Sequence, residues 1–508
     1  MPASAMVVVG EEPLSIEDIV ALARGNAEAM LASGGEYHAR VEASHDILVQ
    51  ATRSGRPIYG VNTGFGVSCG VGVDAEWLQR MPANLVRFHG CGVGACLSVE
   101  DSAGVVAVRL ASLARGYSGV RPRLLEHLAA LLNQRIIPRI PSQGSVGASG
   151  DLTPLSYVAA VVMGEREVHY RGAVVPAAQA LAEAGLEPLV FEPKESLAIM
   201  NGTSVMTALA CSAFVAAERL CRVAAAWTAM LCDAVGGNAS HFHERIFALK
   251  PHPGQMQAAR WIREGLEAQV EQNSSGQRLQ DRYSLRCAPH VIGVALDTLT
   301  FVRQWLETEI NGVNDNPIVD PLTGEVFMGG NFYGGHVAQA MDSLKTAIAS
   351  IADLMDRQLL LLCDPAANGG LPRDLVAPSG AAATANFGFK AIQILTSALA
   401  AEALKLTMPA TAFSRSTEGH NQDKVSMGTI AARDCQTIIE FTETTAAATL
   451  LALCQAIDLG GPERAHQRAR ELHAFVRQHI PMVTEDRRMD EDIGLVLQWL
   501  RRSELPLG

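Results

Sequence analysis

The residues that most plainly offer chemistry lie in one run, Gly144-Ser-Val-Gly-Ala-Ser-Gly-Asp-Leu-Thr-Pro154. Gly144, Gly147 and Gly150 open backbone conformations that a Cβ forbids, while Thr153 and Pro154 suit the N-cap and first position of a following helix. Ala148-Ser149-Gly150 is thereby expected in a tight loop facing a helix N-terminus. There the amide nitrogen of Gly150 can attack the carbonyl carbon of Ala148, and loss of two waters leaves a five-membered ring with an exocyclic methylidene derived from Ser149. Such an alkene is electrophilic, and no ordinary side chain is. A reaction that needs an electron sink must draw it from a metal, a bound cofactor or a group made from the backbone. The same triplet also suits an ordinary glycine-rich loop before a helix, and by itself it does not choose.

The elements around this run change character along the chain. Residues 1–200 read as a mixed region of short helices and glycine clusters such as YGVNTGFGVSCGVG. Residues 201–460 read as a bundle of long helices, with Met341, Leu344, Ile348, Ile351 and Met355 drawing an apolar stripe at steps of three and four. Similar stretches are expected over Thr203–Val235, Ala381–Leu406 and Thr429–Leu459, and residues 461–508 form a tail of two amphipathic helices broken at Pro481. The fold class is therefore mainly α, a central helical bundle with a glycine-rich N-terminal region that carries the loop.

Bulk composition bounds the function. The 508 residues are 48% hydrophobic and 19% charged, which favours extensive buried surface, some of it between subunits. A net charge of −12 argues against a nucleic-acid partner. The start of the chain lacks the pattern of a secretory signal and the ten cysteines form no disulfide framework, so a reducing cytoplasmic setting is expected. Glu218, Arg219 and Arg222 interrupt the most apolar stretch, Leu209–Val235, which reads as a buried helix and not as a membrane span. His241-x-His243-Glu244 and Cys91-x4-Cys96 lack a second ligand pair, and no metal is expected. The glycine patterns at Gly64-x-Gly66 and Gly90-x-Gly92-x-Gly94 do not open a dinucleotide-binding unit.

Further stretches bear on the Ala148-Ser149-Gly150 triplet. In chain order they are YGVNTGFG from Tyr59, NLVRFHGCGVG from Asn84, MNGTSVMT from Met200, QDRYSLRC from Gln280, NDNP from Asn314, GGNF from Gly329 and HNQDKVSMG from His420. With these the sequence resembles the histidine, phenylalanine and tyrosine ammonia-lyases along essentially its whole length. The resemblance implies a helical homotetramer whose active sites each draw on three subunits. It also implies a 4-methylideneimidazole-5-one (MIO) group made from Ala148, Ser149 and Gly150, with no external cofactor.

The resemblance further assigns roles. Tyr59 matches the family's base, which requires its phenol to ionise with help from positive charge or helix dipoles. Arg286 matches the residue that grips the substrate carboxylate, a task suited to its fork of donors. Asn201, Gln280 and Tyr283 match positions that line the site and bond substrate or ring, with Tyr283 counted among the catalytic groups. Asn331 and Phe332 flank the ring, and Glu418 matches a carboxylate near the substrate amine. The pair Phe88-His89 matches the residues that contact the substrate's ring. Histidine lyases generally carry Ser-His there, phenylalanine lyases Phe-Leu and many tyrosine lyases His-Leu, although some tyrosine lyases carry Ser-His, so Phe-His is a hybrid. A buried His89 without a polar ligand group would be left unpaired, which favours tyrosine over phenylalanine. Gln422 stands where histidine lyases place a glutamate. The expectation is conversion of L-tyrosine to trans-p-coumarate and ammonia with phenylalanine as a slower substrate. A histidine lyase, a tyrosine 2,3-aminomutase and a non-catalytic scaffold of the same fold are the alternatives.

Overall fold

The apolar stripes fold as the longest helices of the computed structural model, which describes residues 5–266 and 279–507: Ser204–Val235, Ala288–Ile310, Gly335–Cys363 and Gly428–Gly460. Met341, Leu344, Ile348, Ile351 and Met355 are all fully buried on the third of these. Each such side chain contributes about 1.5–3 kcal/mol by leaving water, which is why the stripe dictates the helix. The stretch Ala381–Leu406 behaves differently from expectation. Gly380–Ala385 is a 3₁₀ run and the α-helix spans only Lys390–Lys405. The Asp486 carboxylate takes the amides of Phe387 and Gly388 at 2.7 and 2.9 Å, and those donors are lost to a continuous helix.

Mainly helical as expected, the chain forms two units interleaved in sequence. One comprises Met1–Ser212, Val302–Asp342 and Pro409–Arg433, the other Ala213–Phe301, Ser343–Met408 and Asp434–Gly508. The sequential regions 1–200, 201–460 and 461–508 do not coincide with these units, whose limits, apart from that between Met408 and Pro409, fall inside long helices that periodicity alone presents as unbroken.

In the first unit, helix Val99–Leu113 is buried from Ser102 to Leu113 and packs against Ile16–Arg24 and Pro122–Asn133. Helix Leu152–Val162 rests on Met81–Phe88 and Glu195–Met200. Strands are few and short. Val93–Cys96 pairs antiparallel with Pro141–Gln143, which holds the start of the glycine loop close to the segment that follows Phe88-His89. Ala5–Val9 and Ala27–Leu31 pair in parallel, with Ala5 opposite Ala27.

In the second unit the tail forms helices Gln467–Arg477 and Asp490–Arg502 with Pro481 between them, as its pattern predicts. Glu443 is buried and accepts from both Arg219 and Arg501, so Arg219 on the apolar helix is a paired charge. Among the described residues four helical stretches have the length and hydropathy of a membrane span. In Ser204–Val235 and Gly428–Gly460 those apolar windows are 72% and 78% buried inside the protein.

Candidate active site

Residues of the first unit build the site around the glycine loop. Ser149 and Gly150 take consecutive left-handed conformations, φ 52° and 78°, which curl the backbone of Gly150 back toward Ala148. Gly150 lies in register with Gly202, and a Cβ at Gly150 would collide with the Gly202 carbonyl, so no other residue fits. Gly147, φ 77°, is packed against Ser426 in the same way.

Asp151, not Thr153, caps the following helix, and its carboxylate makes no cap bond. It is fully buried and accepts instead from the amides of Val205 and Met206 at 3.1 and 2.9 Å and from Ser145 and Thr429. Burial raises its pKa, and those four bonds oppose the rise. The chain's reversal at Gly150 therefore places Asp151 at the N-terminus of Ser204–Val235, whose orphan donors it satisfies. Its role was readable only as the acid next to the triplet.

Two cavities meet at the loop. The larger, about 610 Å³, is lined by Tyr59, Ala148, Ser149, Asn201, Phe332 and Gln422 among others. The smaller, about 250 Å³, adds Phe65, Leu85, Phe88, His89, Leu152, Leu197 and Glu418. Asn201 belongs to both. Its Nδ2 donates to the Ser149 carbonyl at 2.8 Å, and its Oδ1 is buried with no hydrogen-bond partner among the described residues. Gln422 Nε2 donates to Ser149 Oγ at 3.3 Å while its Oε1 accepts from Thr417 at 2.8 Å.

Tyr59 departs from expectation in its electrostatics. Its Oη accepts from the Gly66 amide at 3.1 Å, but burial first and the Glu418 carboxylate next push its pKa above the ordinary phenol value. Among the described residues no cation offsets them. Glu418, exposed and left-handed at φ 52°, accepts from the Val67 amide and from Asn421, both at 3.0 Å. Burial, with Arg166 nearby, lowers the His89 pKa to about 4 and keeps its ring neutral. The Phe88 and His89 rings lie 4.1 Å apart, with Phe88 64% exposed.

Not every matched residue is brought here. Asn331 is exposed, donates to the Val313 carbonyl at 3.1 Å and lines neither cavity, although its neighbour Phe332 does. Gln280, Tyr283 and Arg286 belong to the second unit and line neither cavity. Arg286 stacks over the Tyr283 ring at 4.7 Å and donates to the Asp281 carbonyl, while Tyr283 is 70% exposed. His241 and His243 accept from the amides of Asp281 and Arg245, which gives that pair a structural use.

The model of the aromatic amino acid lyases matches residues 14–478. The chain belongs to that family. Among the relatives of this lyase, a histidine ammonia-lyase of Aromatoleum aromaticum is 42% identical over 87% of this chain and 84% of its own length. One from Anaeromyxobacter dehalogenans is 39% identical over 98% of each chain. Among solved structures, a tyrosine aminomutase from Streptomyces globisporus superposes with a TM-score of 0.92 at 35% identity, covering 98% of this lyase and 97% of that chain. The lyase thus stands close to proteins that bear different substrate names.

Proposed function

We propose that this lyase eliminates ammonia non-oxidatively from an aromatic amino acid, taking L-tyrosine first and phenylalanine more slowly, with trans-p-coumarate as the tyrosine product. The observation that carries the substrate preference is the smaller cavity. Leu85, Phe88, Leu152 and Leu197 give it apolar walls suited to a benzene ring, and a neutral His89, whose Nδ1 already lies 3.5 Å from Thr153 Oγ1, stands beside them to meet a phenolic hydroxyl. Gln422 leaves the ring end without the carboxylate that would favour an imidazole.

The loop fits the MIO group. Cyclisation keeps the Ser149 carbonyl, so the bond from Asn201 survives it, and Ser149 and Gly150 already hold the left-handed backbone of a tight turn. Once formed, the ring supplies an electrophilic methylidene carbon that makes the substrate amine a better leaving group. The chain's own residues do the rest. The unpaired Oδ1 of Asn201 and the carboxylate of Glu418 are acceptors for the substrate ammonium. Tyr59 takes the β-proton, and Arg286, supplied by a second copy in a homotetramer, holds the carboxylate. The scattered spacing of the ten cysteines supports a cytoplasmic setting.

Histidine is the second reading, favoured by the names of the relatives. Purified enzyme given tyrosine, phenylalanine and histidine separately, with all products identified by chromatography, decides among them. Faster formation of urocanate than of p-coumarate overturns the tyrosine reading, and accumulation of β-tyrosine turns it into an aminomutase. Ser149→Ala, which cannot form the alkene, is expected to lose activity by at least about a thousandfold.

A further inference from the structure

A buried arginine stands behind the loop. Arg109, in the apolar run of helix Val99–Leu113, is fully buried. Its Nη1 donates to the Asn201 carbonyl at 3.2 Å and its Nη2 to Ser112 Oγ at 3.2 Å, while Nε has no partner among the described residues. Ser112 Oγ in turn donates to the Gly312 carbonyl at 2.8 Å and accepts from the Asn314 amide, so the guanidinium is held from its far side. Its charge faces Asp315 and Asp151, and Asp315 also holds the buried Lys194 at 2.5 Å. A Cβ at Gly202 would collide with Arg109 Nη1, so the guanidinium lies against the Asn201–Gly202 backbone with no room between them.

That backbone grips the loop at two points. Asn201 Nδ2 holds the Ser149 carbonyl, and the Gly202 carbonyl accepts from the Asp151 amide at 2.7 Å. The two grips bracket the Gly150 nitrogen. An ion this well buried is retained at a cost in desolvation, and a neutral apolar side chain of similar volume would fill the space without it.

We propose that Arg109 is a positioning residue for backbone cyclisation: it braces Asn201 and Gly202 so that the loop between Ala148 and Gly150 is held in the geometry of ring closure. The inference rests on the MIO reading above. In the step it serves, the Gly150 nitrogen forms a bond to the Ala148 carbonyl carbon. The Ala148 oxygen leaves as water with the protons of the Gly150 and Ser149 amides. The Ser149 hydroxyl leaves as a second water with the Cα proton, which creates the alkene. No oxidant is required. Arg109 touches none of the reacting atoms and acts through the placement of Asn201 and Gly202.

The test follows ring formation by intact mass in protein sampled at intervals after synthesis in a cell-free system. Arg109→Lys keeps the buried charge but not the paired bonds, and Ser112→Ala removes only the hydroxyl that orients Nη2. Loss of two waters is expected to slow at least about tenfold in Arg109→Lys and by a smaller factor in Ser112→Ala, since small misplacements of reacting groups are costly in rate. The melting temperature of the fully matured fraction is expected to stay near that of the wild type. Should Arg109→Lys not fold, Ser112→Ala carries the test alone. Wild-type maturation rates in the soluble variants overturn the inference and leave the MIO reading standing. Wild-type protein that never loses two waters overturns the MIO reading itself.

Discussion

Tyr59 carries the sharpest tension at the scale of single residues. A base must be ionised to act, yet burial and the Glu418 carboxylate hold this phenol above its ordinary pKa. If the phenolate takes the β-proton, kcat/KM rises with pH through the alkaline range, because the ionised fraction grows until the raised pKa is passed. Glu418→Gln removes the carboxylate that adds to the effect of burial, so the alkaline limb is expected to move to lower pH in a pH–rate profile. A limb that stays in place means that Glu418 exerts no field on the base. Gln422 governs a second outcome. Gln422→Glu brings a carboxylate beside Ser149, and the ratio of kcat/KM for histidine over tyrosine is expected to rise about tenfold, the scale of one discriminating polar contact. Steady-state assays on both amino acids measure it. Ser149, Asn201, His89 and Gln422 were legible as a site because short landmarks keep their neighbours fixed in the chain. The electrostatics of Tyr59 were not, because Glu418 reaches it from 359 positions away in sequence through folding alone.

Helix periodicity exposes what was legible among the elements. The stripe through Met341 and Met355 had one way to be buried and took it, whereas the break before Lys390 depends on Asp486, a hydrogen-bond acceptor no local pattern announces. The N-cap at Asp151 shows the same limit, since Thr153-Pro154 is a sound local start that a tertiary use of the preceding acid displaces. Helix Pro122–Asn133 carries a testable consequence. His127 is buried there, its Nε2 without a partner among the described residues, and burial lowers its pKa to about 4 from an ordinary value near 6.5. The folded state therefore favours the neutral ring. Protonation favours the unfolded chain, so the stability that depends on a neutral His127 is complete above about pH 6.5 and is lost as pH falls toward about 4. His89 titrates in the same direction. His127→Asn is expected to shrink the drop in melting temperature between pH 7 and pH 5, as read by calorimetry, and an unchanged drop assigns the acid sensitivity elsewhere.

Assembly enters because one chain brings together only part of the matched set. Tyr59, Ser149, Asn201 and Gln422 share cavities, while Gln280, Tyr283 and Arg286 line neither of them, and Tyr283 is largely exposed. On the proposed mechanism the substrate carboxylate needs the Arg286 guanidinium as well. The exposed apolar residues Val294, Ile394, Leu404 and Met408 add surface that association would remove from water. If sites are completed by a second copy, two inactive variants can repair each other. Tyr59→Phe spoils the base and Arg286→Met the carboxylate grip, and each alone is expected to show almost no turnover. In a mixture in which the subunits have exchanged at random, a site needs its Tyr59 from one parent and its Arg286 from the other. Such sites form in roughly a quarter of cases in a symmetric oligomer, so about that fraction of wild-type activity is expected. Activity that stays at the level of the separate variants after proven subunit exchange means that both residues come from one chain.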